Sequence, residues 1–232
     1  KKIMKEIGII GYPLGHTLSP KIHEAGFRDL KLDIKFNVWE IKKDSLKDQI
    51  EYVRQKHVLG TCVTLPHKHS VIDYIDDLDE SAKEMGAVNW IINRKGKLIG
   101  HNTDCLGFSE SVKFHGKSIK NKNCLILGAG GSAKAVCMAL IKQNAKEIHV
   151  SNRTESHALK LVDDFKKFKS NIQVIKSEQI QDKAFVNNLD VIINTTSVGM
   201  AGGPAPSKSP INTDIINRRA LCYDLVYSPE VT

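Results

Sequence analysis

Nowhere in the 232-residue sequence does an uninterrupted apolar run approach the roughly 18 residues a membrane-spanning helix needs, which excludes a helical span. The opening Lys1 to Ile10 is basic and then apolar. Tyr12, Pro13, Gly15 and His16 cut it short of a signal-peptide core, so it reads as a first strand and the protein as soluble and cytoplasmic. Cysteine is sparse: Cys62, Cys105, Cys124, Cys137 and Cys222 are odd in number and lack a close pair with metal or redox spacing. They read as reduced thiols in or near a core. The histidines and acids show no ligand spacing either, so no metal is expected, and His67 and His69 read as surface residues. Aromatic residues make up only 6% and do not interleave with basic runs. The net charge of +8 therefore lacks the company a nucleic-acid surface requires, and suits an anionic metabolite or a phosphorylated cofactor equally well. The Lys-rich stretch Lys160 to Lys169 carries Leu161, Val162, Phe165 and Phe168 at helical spacing, which makes it a solvated helix face.

What is present is a globular composition, 41% hydrophobic and 26% charged, in a chain long enough for one large domain or two small ones. Short β-branched runs alternate with helical patterns, the mark of βαβ units and parallel sheet. Ile7–Gly11 reads as a strand, Ser19–Leu30 as a helix capped by Ser19 with Pro20 at its first position, and Lys35–Ile41 as a strand. A helix over Asp44–Lys56, a strand over Thr61–Leu65 and a helix opened by Pro66 follow. Val88–Asn93 and Lys97–Asn102 flank a Gly turn as a hairpin or strand pair. After a helix over Asp104–His115, the polar Gly116–Asn123 has no apolar period, and it divides the chain into domains 1–115 and 116–232. The second domain repeats the alternation: strands Cys124–Leu127, Glu147–Ser151, Ile172–Ile175, Val191–Asn194 and Leu221–Val226, with helices to Asn144 and over Glu155–Lys169. The fold class is α/β, with an N-terminal α/β domain and a Rossmann-type doubly wound domain.

Leu125-Ile126-Leu127 runs straight into Gly128-Ala129-Gly130-Gly131-Ser132-Ala133, a G-x-G-x-x-A turn between strand and helix. The first Gly permits the turn, the second admits a pyrophosphate, and Ala133 lets the helix pack on the strand while its N-terminus faces the phosphate charge. Roughly 20 residues on, an NAD enzyme would carry an acidic residue for the ribose hydroxyls. Here Ser151 is followed by Asn152-Arg153-Thr154, and Arg153 can pair with a 2'-phosphate, which favours NADP. An ordinary surface Arg after a strand is the blander alternative.

A carbonyl reductase also needs a proton donor and a group that orients it. Thr64-Leu65-Pro66-His67-Lys68 ends a strand, so Thr64 and Lys68 belong at the carboxyl edge of the sheet, where α/β ligands bind. Asn102-Thr103-Asp104 ends another strand and caps the helix after it. Lys68 and Asp104 could meet in a cleft, although a surface Lys and an N-capping Asp are both commonplace.

Gly15-His16-Thr17-Leu18-Ser19-Pro20, Val63 to Lys68, Gly86-Ala87-Val88-Asn89, and Gly100 to Asp104 with Gly107-Phe108 resemble, in order and spacing, the motifs of the shikimate dehydrogenase family. So do Gly128 to Ala133, Asn152-Arg153-Thr154, Asn194 to Met200 and Tyr223 to Tyr227, so that the resemblance spans essentially the whole chain. It implies NADP-dependent, reversible reduction of 3-dehydroshikimate to shikimate, with Lys68 as proton donor and Asp104 as its partner. Thr17, Ser19, Thr64 and Asn89 would hold the substrate. Thr195, Val198, Met200, Leu225 and Tyr227 would join the glycine turn and Asn152 to Thr154 at the cofactor, with Val198 and Met200 on the nicotinamide side. The chain departs from the usual motifs at Thr17 (commonly Ser), Cys62 (commonly Asn) and Trp90 (commonly Thr). Thr17 motivates a quinate or mixed quinate/shikimate enzyme as an alternative. Cys62, and the C-terminal helices and substrate-binding Gln that the resemblance implies beyond Tyr227 but the sequence does not contain, motivate a non-catalytic dinucleotide-binding relative. A homodimer stays open.

Overall fold

The apolar runs of the sequence form two separate sheets. The computed structural model describes residues 3–15, 17–168 and 170–229. His16 of the first motif, Lys1 and Lys2 of the expected first strand, Lys169 of an expected helix, and the last three residues lie outside them. Contacts divide the chain into two units, Lys1–Thr103 and Asp104–Thr232.

The first unit contains β1 (Lys5–Gly11), α1 (Ser19–Asp29), β2 (Ile34–Glu40), α2 (Leu46–Val53), β3 (Val58–Val63), β4 (Asp77–Leu78), α3 (Glu80–Met85), β5 (Trp90–Arg94) and β6 (Lys97–His101). Its sheet runs β2-β1-β3-β5-β6-β4. Strands β2, β1 and β3 are parallel, as the βαβ pattern predicts, but β5 is antiparallel to both β3 and β6, so the sheet is mixed. The cause is local. Lys95 and Gly96 both take positive φ, 59° and 94°, in a tight turn that can join only antiparallel strands. Alternation along β1 sends Ile10 to a core with Leu46, Ile50 and Val53 of α2, while Ile9 faces Phe36 and Leu14. Arg54 closes α2 by donating to the Tyr74 and Gly96 carbonyls at 2.9 and 3.0 Å.

Several expectations for this unit are corrected. Ser19 is the first residue of α1, not its cap; Leu18 holds the cap position, and the Ser19 N–H is directed at the Thr17 hydroxyl at 3.3 Å. Pro66 opens no α-helix: residues 65–69 make turns that lead into a short 3-10 helix, Ser70–Tyr74. The third strand begins at Val58 and stops at Val63, where its ladder to β1 ends at Ile10, and Thr61 and Val63 within it are buried. The helix expected over Asp44–Lys56 starts with a 3-10 turn, Lys43–Ser45.

The second unit contains α4 (Asp104–Phe114), β7 (Asn123–Leu127), α5 (Gly131–Lys142), β8 (Glu147–Ser151), α6 (Glu155–Phe165), β9 (Ile172–Val174), α7 (Lys183–Asn187), β10 (Val191–Asn194) and β11 (Leu221–Asp224). All five strands are parallel, in the order β11-β10-β7-β8-β9. Leu125, Ile126 and Ile193 of the central strands are completely buried, as a sheet covered on both faces demands, and each contributes about 2 kcal/mol. The division by contacts falls before α4, not after it at 115/116. Phe108 and Val112 are buried, the Phe108 ring meets Tyr223 edge-on at 4.9 Å, and the Tyr223 hydroxyl donates to Ser111 Oγ at 3.0 Å.

Candidate functional site

In the parallel sheet, strand order reverses between β7 and β10, and this opens a crevice at their carboxyl ends. Gly128 leaves β7 with φ of 111°, and a Cβ there would fall on the Thr195 hydroxyl. That hydroxyl in turn donates to the Leu127 carbonyl at 2.7 Å. The first glycine is thus required by the fold itself. Gly130 and Gly131 differ: a Cβ on either would meet no protein atom within 4 Å, so the space above the turn is open to a ligand. Gly130 caps α5 without a side-chain bond, leaving the first N–H groups of a 12-residue helix turned toward that space, and Ser132 in the first turn is exposed. Ala133 is fully buried, consistent with close packing of the helix on the sheet.

A cleft of about 480 Å³ adjoins the turn, lined by Gly128, Asn152, Arg153, Thr154 and Val198 among others. None of its described lining residues is acidic, so its charged group is the Arg153 guanidinium, which suits a phosphate and not a pair of bare ribose hydroxyls. Asn152 Nδ2 donates to the Thr154 carbonyl at 2.8 Å and shapes this loop. A second cleft of about 490 Å³ shares Leu127 and Val198 and continues to Asn194, Tyr223 and Asp224. Asn194 Nδ2 bonds both Asp224 Oδ1 and the Val198 carbonyl, at 3.0 and 3.1 Å, and so fixes the loop after β10. Ala129, Thr195, Met200, Leu225 and Tyr227 line neither cleft. Thr195 is spent on the Leu127 carbonyl, Leu225 extends the sheet through its N–H to Asn194 O at 3.0 Å, and Met200 and Tyr227 are exposed. These side chains fit the dinucleotide that the glycine turn implies: an uncrowded turn, a helix N-terminus and a cationic pocket. His157 and Ser177 also line the first cleft and carry no motif signal in the sequence, although His157 sits in the first turn of α6, four residues after Arg153.

In the first unit, Thr64, Lys68 and Asn89 come together at one edge of the mixed sheet. Thr64 continues the ladder, its N–H donating to Ile10 O at 2.9 Å; the Val63 N–H donates to Asn89 O at 2.8 Å; the Val88 N–H donates to Lys68 O at 2.7 Å. The Asn89 side chain exchanges bonds with Thr103, accepting from its N–H at 2.9 Å and donating to its Oγ1 at 3.0 Å. Asp104 is the next residue, the first of α4 and half-buried, and the division between units separates it from Lys68. Thr17 and Ser19 lie at the start of α1, both half-buried.

The surface reading of His67 is wrong. It is completely buried and donates from Nε2 to the Ile41 carbonyl at 2.6 Å, anchoring the turn that carries Lys68. His69 is exposed. Among the described residues no group of three metal-ligating side chains assembles, and no helix is long and apolar enough to cross a membrane. The cysteines are all free; Cys124 and Cys137 are buried, whereas Cys222 is exposed. Burial pushes the Cys62 thiol up to about 12, so it is uncharged at neutral pH and no nucleophile.

A parallel sheet with a glycine turn at its switch point, on a chain that carries a second α/β unit, defines a dinucleotide-dependent α/β protein. Residues 9–91 match the model of the shikimate dehydrogenase substrate binding domain, and 110–201 that of shikimate / quinate 5-dehydrogenase. The NADP(+) shikimate dehydrogenase of Nitrosopumilus maritimus is 39% identical over 97% of this chain and 80% of its own; that of Halothermothrix orenii is 42% identical over 97% and 79%. Shikimate 5-dehydrogenase of Thermus thermophilus, solved with NADP(H) and shikimate, superposes with a TM-score of 0.84 at 30% identity, covering 97% of this chain and 80% of that one. The chain belongs to the shikimate dehydrogenase family.

Proposed function

We propose that this chain catalyses the reversible, NADP-dependent reduction of 3-dehydroshikimate to shikimate, on the route to aromatic amino acids. The observation that carries the reading is its relation to NADP(+) shikimate dehydrogenases over 97% of its length. In the residue assignment, the N-terminal unit binds the acid and the C-terminal unit binds NADP. Lys68 and Asp104 form the catalytic pair, Thr17, Ser19, Thr64 and Asn89 hold the substrate, and Arg153 pairs with the 2'-phosphate. Convergence of Thr64, Lys68 and Asn89 on one sheet edge supports this, as does the position of Asp104 immediately after the residue that Asn89 grips. The glycine turn Gly128 to Ala133 and Arg153 would hold NADPH, whose chemistry would be the hydride for the ketone carbon. The Lys68 ammonium gives a proton to the ketone oxygen as negative charge develops there, and the Asp104 carboxylate orients that ammonium. Thr17, Ser19, Thr64 and Asn89 contribute hydroxyl and amide groups that match the polyhydroxy acid.

An assay at 340 nm with shikimate and quinate, each offered NADP and NAD, tests the reading. The fastest of the four rates is expected with shikimate and NADP. Lys68→Ala and Asp104→Ala should each lower kcat by about 10²–10⁴ while leaving NADP affinity nearly unchanged. Full turnover in both variants would refute the catalytic pair. The enzyme works in the cytoplasm on small molecules, with no nucleic-acid or membrane partner, and sedimentation equilibrium measures whether it does so as a homodimer.

A further inference from the structure

Helix α1 carries Ser19 in its first turn, yet none of its residues is fully buried, so its place on the sheet depends on half-buried side chains. His23 is the most heavily engaged of these. Its ring stacks on Phe36 of β2 at 4.7 Å between centroids and 14° between planes, and on Trp90 of β5 at 5.9 Å and 9°. Its Nε2 lies 3.5 Å from Cys62 Sγ on β3. Cys62 and Trp90 are themselves opposite partners across the β3–β5 ladder. Each contact lies a short step from a residue assigned to the substrate. Ser19 is one helical turn before His23 on the same face, Thr64 is two residues past Cys62 on the same side of its strand, and Asn89 directly precedes Trp90.

We propose that His23 is a positioning residue: stacked on Trp90 and set against Cys62, it fixes the distance between the start of α1 and the edge formed by β3 and β5, and thereby the grip on the substrate acid. This rests on the substrate assignment above. Two of the three positions where the chain departs from the usual motifs, Cys62 and Trp90, are then one coupled change and not two isolated ones. Because the stacked ring does the fastening, His23→Phe keeps a flat ring in place, whereas His23→Gln keeps a polar group near Cys62 and loses the stack.

The full chain and both variants are assayed with shikimate and NADP, with thermal unfolding measured alongside. His23→Gln is expected to raise KM for shikimate about tenfold, with kcat within about threefold and the dissociation constant for NADP unchanged; His23→Phe should stay within about threefold of the original KM. A residue that only stabilises the fold would lower the melting temperature without moving KM, and that pattern in both variants would overturn the proposal. So would KM lost in the Phe variant and kept in the Gln variant. If the unaltered chain neither binds nor oxidises shikimate, the substrate assignment itself fails, and this proposal with it.

Discussion

Two glycines two residues apart make opposite demands, and exchanging each for alanine separates fold from ligand. At Gly128 the backbone sits at φ of 111°, where an L side chain costs about 1–2 kcal/mol. The added methyl would fall on the Thr195 hydroxyl and press Thr196 Cγ2 at 3.1 Å. If Thr195 swings away it gives up its bond to the Leu127 carbonyl, worth about 1 kcal/mol. The total is about 3 kcal/mol, or roughly 6–12 °C in melting temperature for a chain of this size. At Gly130 φ is −88° and no protein atom lies within 4 Å of where an added methyl would sit, so stability should change by less than about 0.5 kcal/mol. The methyl would instead occupy the space above the turn that a pyrophosphate enters, and the dissociation constant for NADP should rise on the order of tenfold or more. Urea unfolding of the cofactor-free protein reads the first quantity and calorimetric titration with NADP the second. Gly128→Ala with unaltered stability, or Gly130→Ala with unaltered NADP affinity, would refute this division of roles.

Arg153→Ala should weaken NADP by about 2 kcal/mol, roughly 30-fold, and leave NAD nearly untouched; equal losses for the two cofactors would show that Arg153 does not meet the 2'-phosphate. Burial holds His149 below its ordinary 6.5, with Glu147 pulling the other way, and burial lowers His23 in the same direction. Since their folded-state pKa values lie below the unfolded one, their neutral forms contribute stability that is complete above about 6.5 and lost as pH falls from there through the folded values. Denaturant unfolding between pH 8 and 5 should therefore show stability falling on acidification, with a shallower fall in a His149→Gln, His23→Phe double variant; identical slopes would exclude these histidines as the cause. Thr17→Ser removes one methyl beside the Ser19 N–H and should shift the ratio of kcat/KM for shikimate over quinate by no more than about tenfold.

The second unit was legible because a parallel sheet buried on both faces writes its strands as apolar runs, and β8 and β10 coincide with the expected segments. The hairpin was legible through Lys95-Gly96, whose positive φ values few residue pairs supply. Short elements escaped. Helix α3 does carry local signals, since Asp79 accepts from the Ala82 N–H at 2.9 Å and Gly86 ends the helix at φ of 60°, but six residues are too few to show an apolar period. Helix α7 likewise starts at Asp182, which accepts from the Ala184 N–H at 2.8 Å. Ser19 looked like a cap because a Ser before Pro commonly is one, and the neighbouring Thr17 hydroxyl took that place near its N–H. Nothing in a lone His between Pro66 and Lys68 told of burial, which is decided by the Ile41 carbonyl, distant in sequence.

The direction of β5, which the apolar runs alone do not give, matters most for where the first unit's candidate residues fall. Had β5 run parallel to β3, the residue that precedes it would lie at the opposite edge from Thr64. Being antiparallel, β5 begins where β3 ends, so Asn89 meets Val63 through a backbone bond of 2.8 Å and the Lys68 turn is tied to Val88 at 2.7 Å. Strand β6 then returns to the same edge and delivers Thr103 to the Asn89 side chain. The tight turn at Lys95-Gly96 accounts for the second of these meetings, since it reverses β6 on β5, while the long connection from Thr64 to Asn89 sets β5 against β3 and accounts for the first. The motifs name Asn89 and Thr103 from far apart in the sequence, and the hairpin between them is what makes the two neighbours.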